Sequence, residues 1–168
     1  MPTAQPRKQR PAVAGRQFRD ALAQFATGVT VITAADQAGP VGLAVGSFTS
    51  LSLDPPLVLF CPGNTSSSWP RIRAAGVFCV NILGDDQLAV CKVMASKDPD
   101  KFANVAWSTK VTGSPVIDGV LAWIDCTITE VLEGGDHHIV IGRVEDLGYA
   151  DAGGPLVFFK GGYGKYDA

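Results

Sequence analysis

Residues Val41 to Ser68 read VGLAVGSFTSLSLDPPLVLFCPGNTSSS. Small and hydroxyl residues alternate with apolar ones as far as Leu53, Asp54-Pro55-Pro56 interrupts, Leu57-Val58-Leu59-Phe60 resumes, and a Ser-rich loop follows. Alternation of period two marks a strand, and the Pro-Pro break rules out a helix through it. Gly42, Ala44, Gly46 and Ser47 keep side-chain bulk low, so a flat ligand could lie against the strand. Ser47, Thr49, Ser66, Ser67 and Ser68 offer hydroxyls to a phosphorylated end. A half-buried strand with a glycine bulge has the same pattern, and these residues alone leave both readings open. No acid/base pair or metal-ligand cluster elsewhere competes with this segment.

On the N-terminal side, Phe18, Leu22 and Phe25 fall at helical spacing and predict a short helix ending near Thr27-Gly28. Val29 to Thr33 is a β-branched run, Gly39-Pro40 a turn, and Val41 to Leu53 one strand. Beyond the Ser-rich loop, short helices are expected from about Ser68 to Ala75, stopped by Gly76, and from Asp85 to Ala95, with Leu88, Cys91 and Met94 on one face. Val77 to Leu83, Leu121 to Leu132, Ile139 to Tyr149 and Leu156 to Lys160 supply further strands. Seven or so strands in quick succession, with few helices and no βαβ alternation, predict a mainly β fold closed into an antiparallel barrel.

Composition is compatible with one such domain. The chain has 168 residues, 46% of them apolar and 18% charged, enough for a single core. Arg7, Lys8, Arg10 and Arg16 lie in an acid-free head over residues 1 to 17, which leaves 10 basic against 16 acidic groups beyond it. An acidic body argues against nucleic-acid binding. The head lacks the apolar core of a signal peptide, and no stretch of eighteen apolar residues follows. The expectation is a flexible tail over 1–15 and one domain over 16–168, cytoplasmic and without membrane attachment. Cys61, Cys79, Cys91 and Cys126 form no CxxC pair and read as free thiols, three of them in strand-like apolar contexts.

Both histidines occur in Glu133-Gly134-Gly135-Asp136-His137-His138, between two predicted strands. Paired glycines bring backbone amides close to a ligand, and Asp136 with His137 puts a carboxylate and an imidazole at a barrel rim; a solvated polar hairpin reads the same. Ser66-Ser67-Ser68 before Trp69-Pro70 is either a phosphate nest at a helix start or a plain cap and loop. Lys160-Gly161-Gly162-Tyr163-Gly164 places an aromatic ring either near a ligand or subunit contact or on a frayed end.

Taken together, Phe25 to Thr33, Ser47 to Leu59, Asp100-Lys101-Phe102, Gly135-Asp136-His137 and Pro155 to Phe159 resemble the flavin reductase-like family in order and spacing, over roughly residues 16 to 166. The resemblance implies an FMN-binding split β-barrel, antiparallel and Greek-key-like with a few short helices, and homodimeric. It implies binding of FMN or FAD near the subunit interface, hydride from NADH or NADPH, and delivery of reduced flavin to a partner monooxygenase. Phe60-Cys61-Pro62-Gly63 with Ser67-Ser68-Trp69 is similar to the reductase components of aromatic or steroid-ring hydroxylating systems.

Carried over by position, Ala44, Val45, Gly46 and Ser47 would line the flavin ring and ribityl chain, with Thr49 adding a side-chain contact. Cys61, Pro62 and Gly63 would form the facing wall. Ser67 and Ser68 would meet the phosphate, in a loop where some relatives carry lysines and this chain has Thr65 and Ser67, so the phosphate would depend on hydroxyls and backbone amides, with or without a basic group from elsewhere. Gly135, Asp136 and His137 match the family's Gly-Asp-His motif, His137 bordering the nicotinamide as the catalytic residue. The sequence has no GxGxxG crevice and no arginine pair near Asp136, which tilts the reading toward NADH over NADPH, with Arg143 the arginine to watch. A non-catalytic flavin-binding barrel and a barrel for an unrelated apolar ligand are the alternatives.

Overall fold

A computed structural model describes residues 13–151 and 153–166, so most of the expected 1–15 tail lies outside the described residues. The described residues are mainly β, with three short helices: α1 (Gly15–Leu22), α2 (Trp69–Ala75) and α3 (Leu88–Ala95). The strands are β1 (Thr27–Gly28), β2 (Thr30–Asp36), β3 (Gly39–Val45), β4 (Thr49–Leu53), β5 (Pro56–Phe60), β6 (Val77–Ile82), β7 (Trp107–Thr109), β8 (Pro115–Ile117), β9 (Ala122–Gly134), β10 (His137–Tyr149), β11 (Leu156–Phe159) and β12 (Gly162–Lys165). A seven-stranded sheet runs β3-β2-β6-β9-β10-β5-β4, beside a sheet β1-β11-β12 and the pair β7-β8. Every pairing is antiparallel.

The expected single strand from Val41 to Leu53 is two. β3 and β4 are the opposite edges of the large sheet, joined only by Gly46-Ser47-Phe48. Three linking residues cannot reach across an open sheet of seven strands spaced about 4.8 Å apart, so the sheet is rolled and its edges meet at this corner. Ser47 Oγ pins the corner, accepting from Cys61 N at 2.9 Å and donating to Cys61 O at 3.1 Å. Glycine, serine and a bulky aromatic in succession keep the register from continuing straight, a change of direction that period-two reading misses.

β2 explains the β-branched run. Ile32 and Ala34 face a core with Phe60, Trp69, Ile72, Phe78 and Val140 under α2. Val31 faces a second core with Leu83, Cys91, Met94, Phe102 and Ile117 under α3. Both faces of the strand are therefore buried, the environment that favours Val, Ile and Thr. Phe60 and Phe78 are fully enclosed, and such a side chain contributes about 1.5–3 kcal/mol by leaving water.

Other boundaries differ for local reasons. α1 stops at Leu22 rather than near Thr27-Gly28, because Gln24 N and Phe25 N bond Ala21 O and Leu22 O in a tighter i to i+3 turn, and Thr27-Gly28 pairs with β11 instead. The turn predicted at Gly39-Pro40 lies at Gln37-Ala38, where Asp36 Oδ1 accepts from Ala38 N at 2.8 Å. α3 begins at Leu88 instead of Asp85: Gln87 is its cap residue, its side chain accepting from Gly84 N and donating to Asp118 O, both at 3.0 Å. α2 runs as expected and ends at Gly76 with φ 71°, a left-handed cap. β7, β8 and β12 are three or four residues long, too short for an alternating pattern to register in the sequence. A buried polar knot fixes β8, with Asn81 Oδ1 accepting from Ile117 N at 2.8 Å and Asn81 Nδ2 donating to Thr33 Oγ1 at 3.0 Å. All four cysteines are free, three of them buried and Cys61 partly exposed.

Candidate functional site

β3 runs beneath two clefts separated by the end of α3. Ala44, Val45 and Gly46 line the first, a cleft of about 180 Å³, with Gly28, Val29, Ala95, Phe158 and Tyr163. Pro40, Val41 and Gly42 line the second, of about 340 Å³, with Ser67, Ser68, Arg71, Lys97 and Lys101. Centres four residues apart on a strand are roughly 13 Å apart.

The first cleft is apolar and thin-walled. A Cβ on Gly28 would meet nothing, so this wall is open. A Cβ on Gly46 would stand 3.1 Å from Thr27 Oγ1, a buried hydroxyl without a hydrogen-bond partner among the described residues. The missing side chain of Gly42 has a different cause from the one expected. A Cβ there would sit 2.5 Å from Met94 Sδ and 3.3 Å from the Phe102 ring, so Gly42 admits α3 and its following loop, not a ligand.

The second cleft sets Lys97 and Lys101 beside Asp98, and Lys101 lies outside the candidate residues. Lys101 Nζ donates to Met94 O at 2.8 Å, Gly42 O at 3.1 Å and Ser68 Oγ at 3.3 Å, and burial lowers its pKa. Its position inside Asp100-Lys101-Phe102 was visible in the sequence; that the loop after α3 folds back over β3 was not. Ser68 is buried, and its oxygen accepts from this lysine while its own proton is left to donate. The N-terminal amide of α2 is met instead by Ser66 Oγ, 3.2 Å from Trp69 N, so the capping hydroxyl is that of Ser66. Arg71 is engaged by Asp36 at 2.7 and 2.6 Å and by Gly39 O at 2.9 Å.

A third cluster joins the corner to the histidine turn. Ser47 holds Cys61; buried Pro62 accepts from His138 N at 2.9 Å; Gly63 bridges to His137. A Cβ on Gly63 would lie 3.6 Å from His137 Nε2, so the imidazole lies over a bare backbone. Asn64 braces the turn, donating from N to Asp136 O at 2.9 Å and from Nδ2 to Gly135 O at 3.3 Å. Gly135 takes φ 79° at the first position of the two-residue turn, a conformation glycine accepts without strain. Asp136 Oδ1 lies 2.7 Å from His137 Nδ1, and that contact lowers the Asp136 pKa. An ionised carboxylate only accepts, so Nδ1 carries the proton and Nε2 is left toward Gly63.

The predicted residues thus fall into three groups: Ala44, Val45 and Gly46 in the first cleft, Ser67 and Ser68 in the second, and Ser47, Cys61, Pro62, Gly63, Gly135, Asp136 and His137 at the braced turn. Thr49 joins none of them; its hydroxyl is exposed on β4 and donates to Ser50 O at 3.3 Å. Arg143 is paired with Glu145 at 2.9 Å. The His138 ring packs 5.8 Å from that of Trp69.

β3 thus carries an apolar slot at one end and a cleft lined by Ser67, Ser68 and Lys101 at the other. The flavin reductase like domain matches residues 22–167, and the chain belongs to that family. It is 52% identical over 160 residues to a flavin reductase of Pseudomonas putida, covering 95% of this chain and 94% of the relative. It is 49% identical over 152 residues to HsaB, the reductase subunit of a flavin-dependent monooxygenase of Rhodococcus jostii, covering 90% and 78%. The solved structure of the NADH:FAD oxidoreductase SgcE6 of Streptomyces globisporus superposes with a TM-score of 0.88 at 34% identity, covering 97% of this chain and 100% of that one.

Proposed function

We propose that this protein is an NADH-dependent flavin reductase that hands reduced FMN or FAD to a partner monooxygenase. The observation that carries the reading is the continuity of β3 beneath the apolar slot and the Lys101–Ser68 cleft. The ring lies against Ala44, Val45 and Gly46, the ribityl chain follows β3 past Ala95, and the phosphate meets Lys101, Ser67 and Ser68. Lys101 supplies a basic group from outside the lysine-free Asn64–Ser68 loop. When bound, a flavin supplies the two-electron acceptor for a hydride from the nicotinamide.

The chain's own contribution is positioning, because hydride transfer needs the two rings in near-attack contact more than it needs an acid or base. Asp136 fixes the His137 tautomer, Asn64 and Pro62 fix the turn, and His137 borders the nicotinamide as its orienting group. Arg143 is occupied by Glu145, which supports NADH over a 2′-phosphorylated nucleotide. HsaB's name as a monooxygenase subunit supports the delivery role.

The rolled sheet is assigned as a split barrel, and a second copy of the chain covers its exposed apolar residues, including Phe18, Leu22, Leu53 and Tyr149 on a single chain. Four free thiols fit a reducing cytoplasm, and among the described residues no helix is long and apolar enough to cross a membrane.

Anaerobic titration of NADH into protein with FMN or FAD tests the reading at the flavin absorbance band. Stoichiometric bleaching is expected. A bound flavin that NADH does not bleach would make this a flavin carrier, and NADH left unconsumed with either flavin free or bound would end the reductase assignment.

A further inference from the structure

The C-terminal hairpin carries two aromatic rings that the assigned function leaves unused. β11 and β12 turn at Lys160-Gly161, both with positive φ (49° and 79°), the two-residue turn that matches strand twist. In that register Phe158 sits opposite Tyr163, ring centroids 5.2 Å apart and tilted by 59°. Both line the apolar slot opposite Ala44–Gly46, and they are 38% and 41% exposed, too open for core side chains. Tyr163 is tethered: its hydroxyl lies 3.4 Å from Sγ of Cys91, a thiol 1% exposed in the α3 core.

We propose that Phe158 and Tyr163 form the aromatic wall of the slot that takes the isoalloxazine ring, with Cys91 as the positioning residue that holds the Tyr163 ring. The proposal rests on the assignment of that slot to flavin. Two arguments select a planar heteroaromatic occupant over a side chain from another protein copy. The rest of the lining is Gly28, Ala44, Gly46 and Ala95 with the β-branched Val29 and Val45, so little side-chain bulk competes with a flat ring. The two rings of the wall are tilted by 59°, so a planar heteroaromatic ring stacks on the face of one and meets the edge of the other. The hydroxyl bound to a buried thiol gives the tyrosine a fixed orientation before any ligand arrives, which lowers the ordering cost of binding. Contact with the thiol and partial burial also push the Tyr163 phenol up to about 12, so it remains a neutral donor throughout the working range.

The test uses lumiflavin, which has the ring without the phosphate, beside FMN, and reads both the dissociation constant and the quenching of flavin fluorescence. Phe158→Leu and Tyr163→Leu keep apolar volume but remove the π-face; each is expected to weaken both ligands about tenfold and to restore fluorescence to the bound flavin. Tyr163→Phe keeps the ring and therefore the quenching. Cys91→Ala is expected to weaken binding about threefold, with Cys91→Ser recovering it, as for a hydrogen bond of ordinary net strength. Leucine variants that fold, bind and quench like the wild type would overturn the wall while leaving the flavin assignment standing. A wild-type protein that binds neither lumiflavin nor FMN would overturn both.

Discussion

Asp136 and His137 are neighbours in sequence whose side chains also meet, carboxylate Oδ1 2.7 Å from imidazole Nδ1. The contact forms at the exposed tip of a long hairpin, so it orients a ring without burying a charge. In His137→Ala we expect flavin binding to survive and kcat/KM for NADH to fall by about 10²-fold, the scale of a misplaced reacting group. Asp136→Asn should move in the same direction by less, since an amide oxygen still accepts from Nδ1. Steady-state kinetics with NADH varied, against a separate flavin titration, checks both; unchanged NADH kinetics in His137→Ala removes the histidine from the site.

Lys101 is bound to Ser68, Gly42 and Met94, and only the first of these is a side chain facing the second cleft. Lys101→Met should raise the FMN dissociation constant about 10–100-fold, as for loss of a charge-assisted hydrogen bond of 1.5–3 kcal/mol, while riboflavin binding stays put. Equal losses for FMN and riboflavin would show a folding defect instead of a phosphate contact.

Gly142, on β10, faces the enclosed ring of Phe78, where an added Cβ would collide with the ring and stand 3.2 Å from Cys126 Cβ. The ring has nowhere to go in a full core. Gly142→Ala is predicted to destabilise the fold by about 1–3 kcal/mol, read as the midpoint shift in urea at constant slope. Gly28→Ala, with open space ahead of its Cβ, serves as the tolerant control for stability.

The Asp36–Arg71 pair sets an acid limit. Arg71 lowers the Asp36 pKa from 3.8 to about 2, so the folded state holds the carboxylate ionised where the unfolded chain protonates it. A lowered carboxyl contributes stability above its unfolded value and loses it as pH falls through the folded one. The contribution is therefore complete above about pH 4 and gone below about pH 2. Asp36→Asn should flatten that part of the stability–pH curve and leave the neutral region parallel to the wild type. A curve of unchanged slope between those limits would mean that the pair does not couple to folding.

The β-branched run at Val29 to Thr33, the Gly76 stop and the Gly135 turn were legible because each is local: burial on both strand faces, a left-handed cap, a two-residue turn. The corner at Gly46-Ser47-Phe48 was not, since alternation continues through it and the break depends on where β5 brings Cys61. Gly42 was read as an opening for a ligand, although its space belongs to Met94 and Phe102, residues more than fifty positions later. Lys101 stood in a motif that supported the family resemblance, yet its place beside Ser68 depends on how the loop after α3 returns. Local chemistry showed in the chain; the company each residue keeps across the sheet did not.

The same corner has a mechanical consequence. It is the seam at which the sheet's two edges meet, stitched by one serine hydroxyl to one backbone position. A change at Ser47 therefore acts on both edges of the sheet at once, through a single hydroxyl that serves the same residue as donor and acceptor.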